Sequence, residues 1–267
     1  MHNIALDTVD AVHRPLLAIS TDYSPGTLLD SHTHRRAQVL YGMSGLMEVE
    51  TDDGAWVIPP FSGVWIPAGK QHKVLMQGVS TRSLYIEPAA APREGEHCEA
   101  LVVSPLLHQL LLASIALPAL YDEQGRDGAL AQLLLHEVRL AQTMPLFAPL
   151  PQDTVLAGLC KAFLKAPQIQ DAPEEWAEQL HKSLRSFNRF FRQQTGMSFG
   201  AWRQQACLLA ALPRLAGGQS VTQVALDLGY DSPSAFSTMF RKRLGQVPSG
   251  FLPAASSHKE NPASICK

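Results

Sequence analysis

Two groups of residues in this chain could do chemistry. His32 and His34 flank Thr33, so on a strand both imidazoles would point to the same face. Far along the chain, Leu184, Phe187 and Phe191 form an apolar stripe at helical spacing, and Arg185, Asn188, Arg189 and Arg192 fall opposite it. A second stripe, Phe236, Phe240 and Leu244, leaves Ser234, Ser237, Thr238, Arg241 and Lys242 outward. Arginine and asparagine can read base edges in a major groove, and further cations hold phosphates. The plainer alternatives are a solvated cationic face and histidines hydrogen-bonded at a surface. No constellation of nucleophile, base and orienting acid stands out at readable spacing. The four cysteines, Cys98, Cys160, Cys207 and Cys266, lack C-x-x-C spacing, which excludes a zinc ribbon and fits a reducing compartment.

The elements that must position these residues differ between the two halves. From about Pro15 to Pro88 the segments LLAIST, AQVLYGM, LMEVET, AWVI, VWIP and SLYIE are short, rich in β-formers and separated by turn residues, which suggests a small barrel or sandwich. Asp52-Asp53-Gly54 marks a hairpin. PAAAPREGE reads as a linker. Leucine repeats at three and four then predict helices over Ser104–Ala116 and Asp127–Gln142. Helices this apolar must be covered, either by the barrel or by a second copy of the chain, through residues such as Leu111 and Leu134.

The last hundred residues read as helices with clear start signals. Asp171 and Glu174 form a capping box, as do Ser220 and Gln223. Ser183 caps Leu184–Thr195, which Gly196 ends; Ser232-Pro233 starts Ser234–Leu244, which Gly245 ends. Ser198 caps a longer helix through Trp202 and Leu209, with Pro213 kinking or breaking it near its end. Each cationic helix follows a short amphipathic one, Glu174–Leu180 or Val221–Leu228, across a tight turn. That is a helix-turn-helix layout, and it occurs twice. Adjacent grooves on one DNA face lie about 34 Å apart, a spacing that a connecting helix can set.

Charge supports the division. Residues 1–149 hold 9 Lys+Arg against 16 Asp+Glu, whereas residues 150–267 hold 13 against 8, so the second half suits a polyanion. With 46% hydrophobic and 17% charged residues the chain is globular rather than disordered. Its longest apolar run, Leu110 to Tyr121, is broken by Ser114 and Pro118 and too short to cross a bilayer. The N-terminus has no basic stretch followed by an apolar one, which points to a cytoplasmic protein.

Residues 155–251 resemble the DNA-binding domain of the AraC/XylS family of bacterial transcription regulators, through SLRSFNRFFRQQTGMSFGAWR and VTQVALDLGYDSPSAFSTMFRKRLGQVPSGF. The family's most specific signature matches at Ala225, Gly229, Tyr230, Phe236, Phe240, Arg241, Gly245 and Pro248. His181 stands where the family usually has glycine, and Lys182 where it usually has an apolar residue. The resemblance implies base reading by Arg185, Asn188 and Arg189, and by the shorter Ser234, Ser237 and Thr238. The N-terminal half resembles the cupin-type sensor of many family members: His32-x-His34-x3-Gln38-x6-Gly45 follows the first motif, with Gln where Glu is usual. Pro67-Ala-Gly69-Lys-Gln-His72 follows the second, with Phe61 six residues before Pro67 where glycine is expected. Cupin pairing implies that His72 and Gln38 join His32 and His34, as ligands of iron, zinc, nickel or manganese or as the lining of an effector pocket.

The expected architecture is therefore α+β: a cupin-like barrel over 1–88, a helical, dimerising linker over 89–154, and a double helix-turn-helix domain over 155–253 with units at about 172–195 and 219–244. A disordered tail, 254–267, follows. The expected function is sequence-specific transcription regulation in response to a small-molecule or metal effector, as a homodimer on double-stranded DNA, with RNA polymerase as partner if it activates. The alternative is a metal-dependent cupin enzyme, a dioxygenase or isomerase, with an accessory helical domain.

Overall fold

A computed structural model describes residues 2, 7 and 10–252. The tail expected over 254–267 lies outside the described residues. Among the described residues ten strands form two antiparallel five-stranded sheets. The first sheet runs β1 (Leu16–Asp22), β8 (Ser80–Ile86), β3 (Ala37–Gly42), β6 (Ser62–Ile66), β9 (Glu99–Val102). The second runs β10 (Phe147–Pro149), β5 (Gly54–Ile58), β4 (Leu46–Glu50), β7 (His72–Gln77), β2 (Thr27–His32). Leu40, Met47, Trp56, Val64, Ile66 and Met76 are buried between them.

Six of the strands coincide with the β-rich segments of the sequence. Strand β7 is not among those segments; in the structure His72, Val74 and Met76 are buried between half-exposed neighbours. The edge strand β2 buries none of its residues, so no apolar pattern marks it. The barrel also takes β9 and β10 from the span read as a linker. Pairing with β6 and with β5 extends both sheets by a strand.

Helices α1 (Pro105–Ser114) and α2 (Arg126–Leu140) lie on the first sheet. Leu107, Leu111, Leu134 and Val138 are fully buried against Leu16, Val39, Tyr41 and Trp65. Leu111 and Leu134 are thus core residues within one chain, not an interface. A sheet face that buries aromatic and β-branched residues needs a cover, and these leucines supply it.

Six helices follow: α3 (Thr154–Lys165), α4 (Pro173–Gln179), α5 (Leu184–Thr195), α6 (Phe199–Ala216), α7 (Val221–Asp227) and α8 (Pro233–Leu244). Side chains of Ser183, Ser198, Ser220 and Ser232 accept from backbone N–H groups in the first turns of α5, α6, α7 and α8. The cap of α4 is Ala172, not Asp171, and has no side-chain bond. Pro173 at the first helical position holds the residue before it extended, which moves the boundary one residue on. Pro213 lies inside α6, which runs on to Ala216 rather than breaking. The halves share one core: Trp202 and Leu209 of α6 belong to the same buried cluster as Val49 and Val57 of the second sheet.

Candidate nucleic-acid interface and histidine cluster

Each helix-turn-helix unit is built from the same local devices. Two residues beyond α4 and α7 the chain turns through positive φ, at His181 (51°) and Gly229 (76°). Both close the turn alike. His181 N–H donates to Glu178 O and Gly229 N–H to Leu226 O, each at 2.9 Å; Lys182 N–H reaches Ala177 O and Tyr230 N–H reaches Ala225 O. His181 therefore adopts the conformation that glycine takes in the second unit, at modest strain. Gly196 and Gly245, both at φ 72°, end α5 and α8 in the left-handed region, where a residue without Cβ carries no steric cost.

Burial orients the two cationic faces. Phe187 and Phe191 of α5 are fully buried against Trp176, Phe199 and Trp202. Arg185, Asn188, Arg189 and Arg192 are exposed, and no salt bridge among the described residues ties up the arginines. Phe236 and Phe240 bury α8, leaving Ser234, Thr238, Arg241 and Lys242 exposed and Ser237 half-buried. Arg203 and Arg243 serve the framework instead: Arg203 donates to Asp171 O, and Arg243 to Ala201 O and Gln204 Oε1. Between α5 and α8 stands α6, whose 18 residues span roughly 27 Å at 1.5 Å each.

The histidines gather at one end of the barrel. His32 faces His72 across β2 and β7, with ring centroids 4.3 Å apart, and His34 lies 5.1 Å from His72. His34 does not sit on a strand: β2 ends at His32, after a register shift, and the loop carries His34 round to the others. That loop is fixed by buried Arg36, which binds Asp10 at 3.0 Å and Glu87 at 2.6 Å. Gly69 N–H also donates to His34 O, tying the loop to the second motif. Phe61, where the resemblance expects glycine, has φ 59°, so the backbone keeps the glycine-type conformation.

Each ring presents one nitrogen to a backbone carbonyl. His32 Nδ1 lies 2.7 Å from Asp30 O, His34 Nδ1 2.6 Å from Arg36 O and His72 Nδ1 2.9 Å from Lys70 O. A carbonyl only accepts, so Nδ1 carries the proton and each neutral ring keeps its lone pair on Nε2. Burial pushes His72 down to about 4 and lowers His34, which favours neutral rings at pH 7. Carbonyl-anchored Nδ1–H is the arrangement that presents Nε2 to a metal, and one ligand atom from each histidine lies within 4.8 Å of the others. Gln38 Oε1 is 3.0 Å from His34 Nε2, while its amide nitrogen lies 3.2 Å from Ser83 Oγ and from Tyr85 Oη. With that proton placement two acceptors face each other, as two ligands of one cation do. The donor set fits a divalent metal. Ser83 and Tyr85, on β8, went unread in the sequence; their alternation in SLYIE is the signal that places both on Gln38's face.

A model of the AraC-like ligand binding domain matches residues 15–146, and a helix-turn-helix domain model matches residues 176–253. The HTH-type transcriptional regulator NimR of Escherichia coli K12 is 32% identical over 222 residues, 83% of this chain and 81% of NimR. The chain belongs to the AraC/XylS family of transcription regulators. This AraC/XylS regulator is also 36% identical over 64 residues to the regulatory protein SoxS of E. coli K12, 24% of this chain and 60% of SoxS. Among solved structures, ToxT from Vibrio cholerae covers 89% of this chain and 96% of its own at 10% identity, with a TM-score of 0.37. The regulator thus combines an N-terminal ligand-binding domain of two antiparallel sheets with a DNA-binding helix-turn-helix domain, and its relatives regulate transcription, which favours that reading over a cupin enzyme. Among the described residues no helix is long and apolar enough to cross a membrane.

Proposed function

We propose that this regulator reads its operator mainly through α5, with Arg185, Asn188 and Arg189 on base edges and Arg192 on phosphate. In α8, Arg241 and Lys242 hold phosphates, and Ser234, Ser237 and Thr238 make short-range contacts. The observation that carries this reading is the pair of outward faces above: cations without carboxylate partners, on helices locked from behind by buried phenylalanines. Two arginines and an amide on α5 reach farther into a groove than three hydroxyls on α8, so α5 carries more of the specificity. Titrating DNA from upstream of the gene itself at 50 and 200 mM salt tests it. The expected result is a steep loss of affinity with salt and a residual preference over unrelated DNA. Salt-independent binding would overturn it.

The histidine cluster is read as the effector site of the sensor, holding a divalent metal through His32, His34, His72 and Gln38. A metal bound there would supply a Lewis-acidic anchor for a ligand oxygen or act as the signal itself. No enzymatic activity is assigned to it, since a DNA-binding half answers to occupancy rather than turnover.

The protomers are read as pairing through the outer face of α1 and α2, in place of the buried Leu111 and Leu134. Leu133 (41% exposed) and Leu140 (70%) stand seven residues apart on α2, about two turns on one side of it, with Leu106 (49%) on α1. Apolar side chains at helical spacing, facing away from their own core, support a helix-pair interface. A homodimer would present four helix-turn-helix units to DNA in the cytoplasm, and RNA polymerase is its partner if it activates.

A further inference from the structure

Away from the histidines, a cavity of about 570 Å³ lies between the outer face of the second sheet and helices α3 and α6. Its floor is a single cross-strand row. Leu28 of β2 faces Leu75 of β7, Leu75 faces Glu48 of β4, and Glu48 faces Val57 of β5. One step along, Glu50 is paired with Lys73 at 2.8 Å. The roof is Lys161, Leu164 and Lys165 from α3 and Leu209, Ala210 and Pro213 from α6.

Charge and shape together select an occupant. Lys161 and Lys165 are four residues apart on one helix, so their ammonium groups share a side of it. Neither has a carboxylate partner among the described residues. Glu50 is already paired with Lys73, and burial holds the Glu48 carboxyl above its usual range. Apart from the Glu50–Lys73 pair and Trp56, the rest of the lining is aliphatic. A cavity of this size suits a small organic molecule, whereas the barrel interior is filled by Leu40, Met47, Trp56 and Val64, each no more than 3% exposed.

The position matters as much as the lining. The floor belongs to the sensor, and α6 connects the two DNA-binding units. A molecule touching both fixes how the sensor sits on the helix that spaces α5 from α8. We propose that this seam is a second small-molecule site, taking an amphipathic organic anion whose acidic head is held by Lys161 and Lys165 and whose apolar body lies on Leu28, Leu75, Leu164 and Leu209. Occupancy couples the sensor to the DNA-binding half. The site is separate from the histidine cluster and stands or falls without it.

The test uses the full chain and two fluorescent probes with the same apolar body, anionic 1-anilinonaphthalene-8-sulfonate and neutral N-phenyl-1-naphthylamine. The sulfonate should bind at one equivalent and weaken about tenfold in Lys161→Ala/Lys165→Ala, while the neutral probe changes little. Filling the cavity by Ala210→Trp should abolish both. Leu28→Trp, on the exposed edge strand, gives the same readout should the α6 variant fail to fold. A His34→Ala/His72→Ala variant should bind the sulfonate normally. Saturating sulfonate should also slow amide exchange across residues 206–213 of α6. Sulfonate binding that ignores the lysine and tryptophan variants, or that disappears with the histidines, would overturn the site; unchanged exchange in α6 would overturn the coupling.

Discussion

The indole Nε1 of Trp202 donates to the carbonyl oxygen of Pro149 at 2.8 Å, and its ring is fully buried. Trp202 belongs to the helix that joins the two DNA-binding units, and Pro149 to an edge strand of the sensor. Gln205, one turn on, donates to Pro145 O. The two halves therefore meet through hydrogen bonds inside a common apolar core, not across a loose linker. Trp202→Phe keeps most of the buried ring but leaves Pro149 O without its donor, at a cost of about 1–2 kcal/mol. Urea unfolding followed by sensor and DNA-binding-domain probes should show both transitions moving together. A shift confined to one half would contradict the shared core.

Base and phosphate contacts separate in their signatures. Arg189→Ala should cost about 1–3 kcal/mol against the operator and relax preference at one base position. Arg241→Ala should weaken all sequences alike and lower the salt slope by about one. Binding curves on the operator, on single-base variants and on unrelated DNA distinguish them. Equal behaviour of the two variants would remove the assignment of reading to α5 and anchoring to α8.

The DNA-binding half was the more legible because its signals are local. A serine cap, a phenylalanine stripe and a terminal glycine each act within one or two turns, so Ser183, Phe187, Phe191 and Gly196 specify α5 almost unaided. The barrel depends on pairings between residues far apart. The strand β2 has no buried residue to announce it, and its partners on β7 lie forty or more residues away. The histidines carried a motif, but their meeting rests on Arg36 holding a loop, which alternation along a strand does not describe. The leucines of α1 and α2 were legible as helical and apolar. Which of them face the barrel was not, because burial within a chain and between chains leaves the same spacing.

That ambiguity yields a prediction about assembly. Leu133→Glu/Leu140→Glu should give folded, sedimenting monomers with weaker operator binding, since both side chains point away from the core. Leu134→Glu, one residue from Leu133 but fully buried, should instead destabilise the fold by several kcal/mol, because it buries an unpaired charge. Dimers that survive the double substitution would place the interface elsewhere.

The metal-free barrel should lose stability in mild acid. His72 is held down to about 4 by burial, whereas in the unfolded chain it titrates near 6.5. Between these values the unfolded state binds the extra proton, so stability present above pH 6.5 is lost as pH falls towards 4, by at most about 3 kcal/mol. His72→Gln should flatten that slope in urea titrations from pH 7 to 4. An unchanged slope would assign the acid sensitivity to other groups.

Metal uptake follows from the same proton placement. With Nδ1–H of His32, His34 and His72 each given to a carbonyl, three Nε2 lone pairs and Gln38 Oε1 are left for one ion, and neutral imidazoles with an amide oxygen suit zinc, nickel, iron or manganese. Protein purified without a histidine tag and dialysed against zinc should retain about one equivalent, and His34→Ala/His72→Ala should retain less than a tenth. Protons compete for the same lone pairs, so bound zinc should be held through mild acid and leave only as pH falls towards about 4, where His72 takes up a proton in the folded barrel. Gln38→Glu supplies a charged oxygen in place of the amide and should tighten retention, whereas Gln38→Leu should loosen it. Wild-type protein that keeps under a tenth of an equivalent would remove metal from the sensor. The facing acceptors would then be reconciled by turning the Gln38 amide, so that its nitrogen donates to His34 Nε2 and the three rings line an organic effector's pocket.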